Sequence, residues 1–303
     1  MKTGDAFSTY HPLINFAYFL AVLLFAMFIM QPVCLLLTLI CSLAYAAVLL
    51  NKRDLFRNLL LLLPLFLFTA LLNPLFNHAG TTILAYLPNG NPLTLESIFY
   101  GLAAGSMLVA VICWFSCYNA VMTSDKFVWL FGRVIPALSL VLSMTLRFVP
   151  RFRRQLQEVR QARYTIDRKP EGIMPKIRQG LKVISIMITW ALENSIDTAD
   201  SMRSRGYGLP GRTAFSIYRW NKRDSFAGLF LLLTVAYVLI GKLKGALYWY
   251  YFPQLGGRCL DAYQLSVYLA YSLLLLLPLL IDFREFLKCR RLSQVSGDFN
   301  HVS

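Results

Sequence analysis

The sequence predicts an all-α polytopic membrane protein, with about six transmembrane helices and two further long helices outside the bilayer. Three observations carry that prediction. Of 303 residues, 57% are hydrophobic and only 15% are charged, whereas a soluble domain carries roughly a quarter charged residues. The apolar residues gather into runs of about 17 to 25, the length that crosses a bilayer as a helix. Between two clusters of such runs lies a basic stretch, Asp125 to Asp224, patterned as long helices. The mean hydropathy of +0.55 agrees.

In chain order, spans are predicted at Leu13–Met30, Pro32–Leu50, Leu55–Leu72, Leu95–Met122, Phe226–Gly241 and Gln264–Ile281. Pro32 divides the first long apolar run and predicts a tight hairpin there. Residues 73–80, Asn-Pro-Leu-Phe-Asn-His-Ala-Gly, read as an ordered turn-rich loop, with His78 either a proton or ligand site or an incidental loop residue. Gly101 and Gly105 form a small-xxx-small face that lets helices approach closely in lipid. It suits either packing within this chain or an interface with a second membrane protein. Residues 248–252, Tyr-Trp-Tyr-Tyr-Phe, suit an interfacial aromatic belt.

Charge sets the orientation. Of the formal +15, a net +11 falls in Asp125–Asp224, where 19 Lys and Arg face 8 Asp and Glu. Basic residues collect in cytoplasmic loops. Lys52, Arg53 and Arg57, the central stretch, and Arg284, Lys288, Arg290 and Arg291 therefore mark the cytoplasmic side. Residues 73–94 hold no Lys or Arg, and the last loop holds only Lys242, Lys244 and Arg258. Six crossings place both termini in the cytoplasm and the protein in the cell (inner or plasma) membrane. The basic charge reports topology and not nucleic-acid binding. No signal peptide is expected, because residues 1–12 are polar and the run that follows is too long for an h-region.

The organisation that follows is an N-terminal membrane region of four spans (1–124), a cytoplasmic segment (125–224), a C-terminal membrane region of two spans (225–291) and a cytoplasmic tail (292–303). Within the central segment, Lys126–Phe131 is a short amphipathic piece suited to the interface plane. A first long helix starts with Pro136 in its first turn and runs to about Arg163, with a kink expected at Pro150. Arg147, Arg151 and Arg154 recur at i, i+4 and i+7 and share one face, which meets lipid headgroups or an acidic partner surface, or is simply solvated. Pro170, Gly172, Pro175 and Gly180 read as a broken connection. A second long helix covers roughly Leu181–Arg205; its first part is apolar nearly all round and is expected to be buried in protein or membrane. Gly206, Gly208, Pro210 and Gly211 then stop it.

Both helices end on an arginine: Ala162-Arg163-Tyr164 and Ser204-Arg205-Gly206. Asp200 offers Arg203 a partner at i−3, whereas Arg205 has none in its own helix, leaving its guanidinium fork for a carboxylate elsewhere. Helices of about 28 and 25 residues are roughly 42 and 37 Å long. Crossed as a hairpin, they hold the two arginines tens of Å apart, which suits a dimeric or pseudo-dimeric partner.

Other chemistry is poorly served. The cysteines Cys34, Cys41, Cys113 and Cys117 lie in apolar runs and read as core, with no His or carboxylate to complete a metal site around Cys113 and Cys117. Cys259 and Cys289 complete the six. There is no G-x-x-x-x-G-K-[ST] phosphate cradle. An intramembrane enzyme needs clustered titratable groups at membrane depth, and Glu96 stands alone near the start of an early span. No catalytic residue, metal or cofactor is expected.

At these residues the chain resembles the transmembrane T component of energy-coupling factor (ECF) importers, the EcfT/CbiQ family. The resemblance rests on Asn73-Pro74-Leu75-Phe76, Thr94-Leu95-Glu96-Ser97, Arg147-Phe148-Val149-Pro150 and the two X-Arg-X motifs, and it covers most of the chain. It implies that the central helices are coupling helices whose motifs dock on two ABC-type ATPase subunits. Arg163 and Arg205 then each pair with an acidic groove residue. ATP-driven closure is passed through the apolar parts to a membrane substrate-binding S component that takes up a vitamin or metal ion such as cobalt or nickel. The first motif departs from the family pattern, since Tyr164 stands where glycine is usual. A non-transport membrane scaffold docking a cytoplasmic partner is the alternative; co-purification with two ATPases and substrate-dependent ATP hydrolysis by that complex separate the two.

Overall fold

The computed structural model describes residues 6–86, 91–132, 136–166, 172–207, 218–257 and 261–299. It divides into two compact units, one of Met1–Thr123 with Tyr218–Ser303 and one of Ser124–Ile217.

The first unit is built from apolar helices: α1 (Pro12–Phe28), α2 (Pro32–Leu49), α3 (Lys52–Phe76), α4 (Leu95–Val121), α8 (Lys222–Leu243) and α9 (Ala262–Phe299). All but α1 are long and apolar enough to cross a membrane. At 17 residues, α1 is about 26 Å long, slightly short of a hydrocarbon core of about 30 Å. It stops two residues earlier than the apolar pattern suggests, because Ile29 is extended and Pro32 opens α2 at its first position, where its missing N–H costs nothing. The chain turns back over residues 29–31 as expected, but the two helices pack mainly on others. The chief packing partners of α1 are α4 and α8, those of α2 are α4 and α9, and Trp114 of α4 stands between Tyr18 of α1 and Tyr45 of α2 at centroid distances of 6.1 and 6.0 Å.

Contacts at the two ends of this unit fix its topology. At one end, Tyr100 near the start of α4 packs on Tyr251 and Phe252 of the α8–α9 loop, and the Tyr251 hydroxyl donates to the Met30 carbonyl just past α1 (2.7 Å). At the other end, residues 6–11 meet the start of α8 and Asp282 of α9. The six helices therefore alternate in direction, and the N-terminal segment lies beside Asp282 at one end.

Extra helix length appears where proline masked it. The predicted loop at residues 73–80 is helical as far as Phe76, so α3 runs through both Pro64 and Pro74. Pro74 removes the donor that the Ala70 carbonyl would receive four residues on. Gly101 closes against that carbonyl: a Cβ there would lie 2.6 Å from the Ala70 oxygen, and one on Gly105 would lie 3.0 Å from Phe66. The small-residue face is thus the seam between α3 and α4 inside this chain.

Two small hairpins fall outside an all-α reading. Strand β1 (Ile83–Tyr86) pairs with β2 (Pro92–Thr94), and β3 (Trp249–Tyr250) with β4 (Gly256–Gly257). The first is held by Glu96, whose carboxylate accepts from the Thr82 N–H (3.2 Å) and the Thr82 and Thr81 hydroxyls (2.8 and 3.3 Å). Gly80, at φ +141°, passes so close that a Cβ would sit 2.6 Å from Glu96 Oε2. Thr94 caps α4 by accepting from the Ser97 N–H. His78 meets Asn91 at 3.0 Å, a contact that orders the loop. Glu96 is a loop staple. Cys34, Cys41, Cys113 and Cys117 are buried free thiols; Cys289 is exposed; Cys259 and Arg258 lie outside the described residues.

The second unit holds α5 (Ser124–Gly132), α6 (Pro136–Ile166) and α7 (Ile173–Ser204). Pro136 opens α6 as predicted, and the helix continues through Pro150. The predicted broken connection is shorter than expected, because α7 begins at Ile173 and not near Leu181. Pro175 sits in its first turn, where proline is tolerated, and the chain turns earlier, at Gly172 with φ +105°.

Candidate functional site

The two motifs that sequence reading paired as similar are built differently. Ser204 is the last residue of α7 and Arg205 is its cap, with φ −86° and ψ 12°. Gly206 follows at φ +74°, in the left-handed region. Its N–H donates to the Arg203 carbonyl (3.0 Å) and that of Tyr207 to the Met202 carbonyl (3.1 Å). These are the two reversed bonds of a Schellman cap, and a residue without a Cβ is what permits them. Arg205 is left exposed at a sharply ended helix. Gly208, Pro210 and Gly211 of the predicted stop lie outside the described residues.

The first motif has no such stop. Ala162, Arg163 and Tyr164 all lie within α6, which continues to Ile166. Among the described residues no side chain other than glycine has positive φ, so tyrosine in the glycine position keeps the chain helical. Arg163 is half-buried, in the last turn and not at the tip, while Ala162 is exposed. Both arginines complement the negative end of their helix dipole.

The helices meet near their midpoints. Trp190 of α7 lies edge-on to Phe152 at 5.2 Å and under the Arg151 guanidinium at 5.6 Å. Helices of 31 and 32 residues are about 46 and 48 Å long. From that crossing Arg163 lies roughly 17 Å along α6, and Arg205 roughly 22 Å along α7. The structure thus separates the two arginines instead of gathering them into one pocket. Arg147, Arg151 and Arg154 are all exposed, though Arg151 is partly engaged by Trp190. Among the described residues neither Arg203 nor Asp200 makes an ion pair, so the predicted i−3 contact is not formed.

Sequence reading missed the extent of one feature. Ile173, Ile177, Leu181, Ile184, Ile188, Leu192 and Ile196 of α7 are all exposed. They recur at steps of three and four, one continuous face. In the stretch expected to be buried, Val183 is covered within this chain but Ile184, Ile186 and Ile188 are not. The stripe begins eight residues earlier than the apparent break at Gly180 allowed. Among the described residues, no group of three or more His, Cys, Asp or Glu side chains could hold a metal ion.

A family model, CbiQ, described as "Cobalt transport protein", matches residues 8–217. Among curated proteins, the energy-coupling factor transporter transmembrane protein EcfT of Lactobacillus helveticus is 25% identical over 222 residues, covering 67% of this chain and 78% of that protein. The protein of the same name from Exiguobacterium sibiricum is 30% identical over 111 residues, covering 36% of this chain and 41% of that one. The family match takes in the first four apolar helices and both arginine motifs, and with it the chain belongs to the CbiQ family, as a transmembrane component of an energy-coupling factor transporter.

Proposed function

We propose that this chain couples two ATP-binding-cassette subunits to a substrate-binding S component, for uptake of a vitamin or a metal ion. The observation that carries the proposal is the pair of crossed helices, each ending in a turn that carries an arginine, with the two arginines on separate arms. One arm is drawn to each ATPase subunit. Arg205 offers a planar bidentate cation at a rigid cap, and Arg163 supplies the second contact from within a helical turn. The exposed apolar stripe of α7 faces the S component or the bilayer, and Arg147, Arg151 and Arg154 support the acidic or headgroup side. The hydrolytic chemistry belongs to the ATPases.

Orientation follows from charge. The end of the first unit where residues 6–11 meet Asp282 carries Lys222 and Arg223 at the start of α8 and Arg284, Lys288 and Arg290 late in α9. By the bias of basic residues, that end and both termini are cytoplasmic.

The test is charge reversal in the assembled transporter. Arg163→Glu and Arg205→Glu each weaken ATPase co-purification and uptake, and the double variant abolishes both. Arg205→Glu is the more severe single change, because its rigid cap gives the reversed charge no room to move away. Normal uptake by the double variant overturns the proposal.

A further inference from the structure

Residues 6–11, Ala-Phe-Ser-Thr-Tyr-His, form a hook at the end of the first unit. Phe7 opens a short 3-10 turn and its ring is fully buried, edge-on to Tyr18 at 5.1 Å and Phe19 at 6.2 Å. The backbone N–H groups of Ala6 and Phe7 both donate to Asp282 Oδ1, at 2.8 and 3.1 Å. Arg223 donates to the carbonyl and hydroxyl of Thr9, both at 3.2 Å, and lies 4.2 Å above the Tyr10 ring. The His11 N–H donates to Asp224 Oδ1 (3.4 Å), and its ring packs edge-on to Trp220 at 4.7 Å. Burial pushes the His11 imidazole below its usual pKa against the opposing pull of Asp224. The neutral ring can then accept from the Leu13 N–H through Nδ1, as observed at 3.3 Å.

Helix α8 does not need the hook in order to start. Asn221 and Asp224 close a capping box, in which each side chain accepts from the other residue's backbone N–H, so its first turn is satisfied locally. The contacts from Thr9, Tyr10 and His11 are additional. They fix where α8 begins, not whether it forms. Two carboxylates are buried to do this, Asp224 at 2% and Asp282 at 7% exposure. Burying a carboxylate is unfavourable unless it is hydrogen-bonded, so both acids are committed to this junction. Tyr218 is where the chain re-enters the first unit, and α8 starts four residues later.

We propose that the hook is a positioning device: Asp282, Arg223 and Asp224 hold the root of α8 against the N-terminal segment and α9. Motion arriving through Tyr218 from the coupling segment is then delivered to the spans, and not lost in a swinging linker. This rests on the coupling function proposed above.

The experiment reconstitutes the transporter, this chain with its ATPases and S component, in liposomes and reads substrate transported per ATP hydrolysed. Arg223→Ala with Asp282→Asn is expected to lower that ratio by about fivefold or more while ATPase co-purification stays at the wild-type level. Arg223→Lys, which keeps a cation over Tyr10, retains at least half of the ratio. Should the double variant be degraded, the shape-conserving Asp282→Asn alone is measured, with a drop in the ratio again expected. An unchanged ratio overturns the positioning role, as does a fall in yield with the ratio per assembled complex intact. A wild-type complex that hydrolyses ATP but transports nothing sinks the coupling function and the hook's role together; a transporting wild type with unaffected variants sinks the hook alone.

Discussion

Gly206 and Tyr164 occupy matching places after the two arginines, and the difference between them sets what each arginine can do. At Gly206 the backbone turns left-handed at φ +74° and two reversed hydrogen bonds seal the helix. At Tyr164 the helix continues to Ile166. A Cβ in the left-handed region costs about 1 kcal/mol, so Gly206→Ala is expected to open the α7 cap about fivefold more often. Hydrogen exchange at the amides of Gly206 and Tyr207 reads this directly, since those amides make the cap bonds; unchanged exchange at both rules it out. Arg163 should be insensitive to the equivalent change, because Tyr164→Ala leaves α6 with a good helix former. The asymmetry was legible from the identity of one residue after each arginine. That Arg163 lies inside its last turn was not, because nothing in Arg163-Tyr164-Thr165-Ile166 signals a stop.

At the scale of elements, apolar run length located the spans well, and proline and glycine caused the errors. Pro74 and Pro175 both read as breaks, yet one lies in the last turns of α3 and the other in the first turn of α7. A proline is disruptive only where a donor is required and the ring meets the preceding turn, and single-sequence patterning does not register that position. The turn expected at Pro32 forms, but the packing partner of α1 was not legible there: it is decided by Trp114 and its neighbours, far along the chain. Likewise Gly101 and Gly180 look alike in sequence and stand in opposite situations. A Cβ on Gly101 strikes the Ala70 carbonyl at 2.6 Å, whereas one on Gly180 meets nothing within 4 Å. Gly101→Ala is therefore expected to destabilise the protein by about 1–3 kcal/mol by forcing α3 from α4. Gly180→Ala should stabilise α7 by about 0.5–1 kcal/mol. Thermal unfolding in detergent that moves both variants the same way contradicts this account of the α3–α4 seam.

Over the whole molecule, alternation of six helices returns the chain to the end it started from, so the N-terminal segment and Asp282 lie together. That end carries the basic residues flanking α8 and α9. The second unit has a different architecture: two long helices of similar length crossing near their midpoints through Trp190, with an arginine on each arm. Such a cross cannot present both arginines to one small site. If each ATPase subunit receives one arm, single cysteines at 163 and 205 must report different partners. The natural thiols permit the measurement, since Cys34, Cys41, Cys113 and Cys117 are buried, and the exposed Cys289 and the remaining Cys259 can both be replaced by serine. With Cys259→Ser and Cys289→Ser as background, Arg163→Cys and Arg205→Cys are each crosslinked by a short bismaleimide to ATPases that differ in mass or tag. Position 205 is expected to capture one subunit and position 163 the other, with the 205 product forming faster because Arg205 is exposed and Arg163 half-buried. Capture of the same subunit from both positions means that the two arms serve a single docking surface, and the division of labour between them falls.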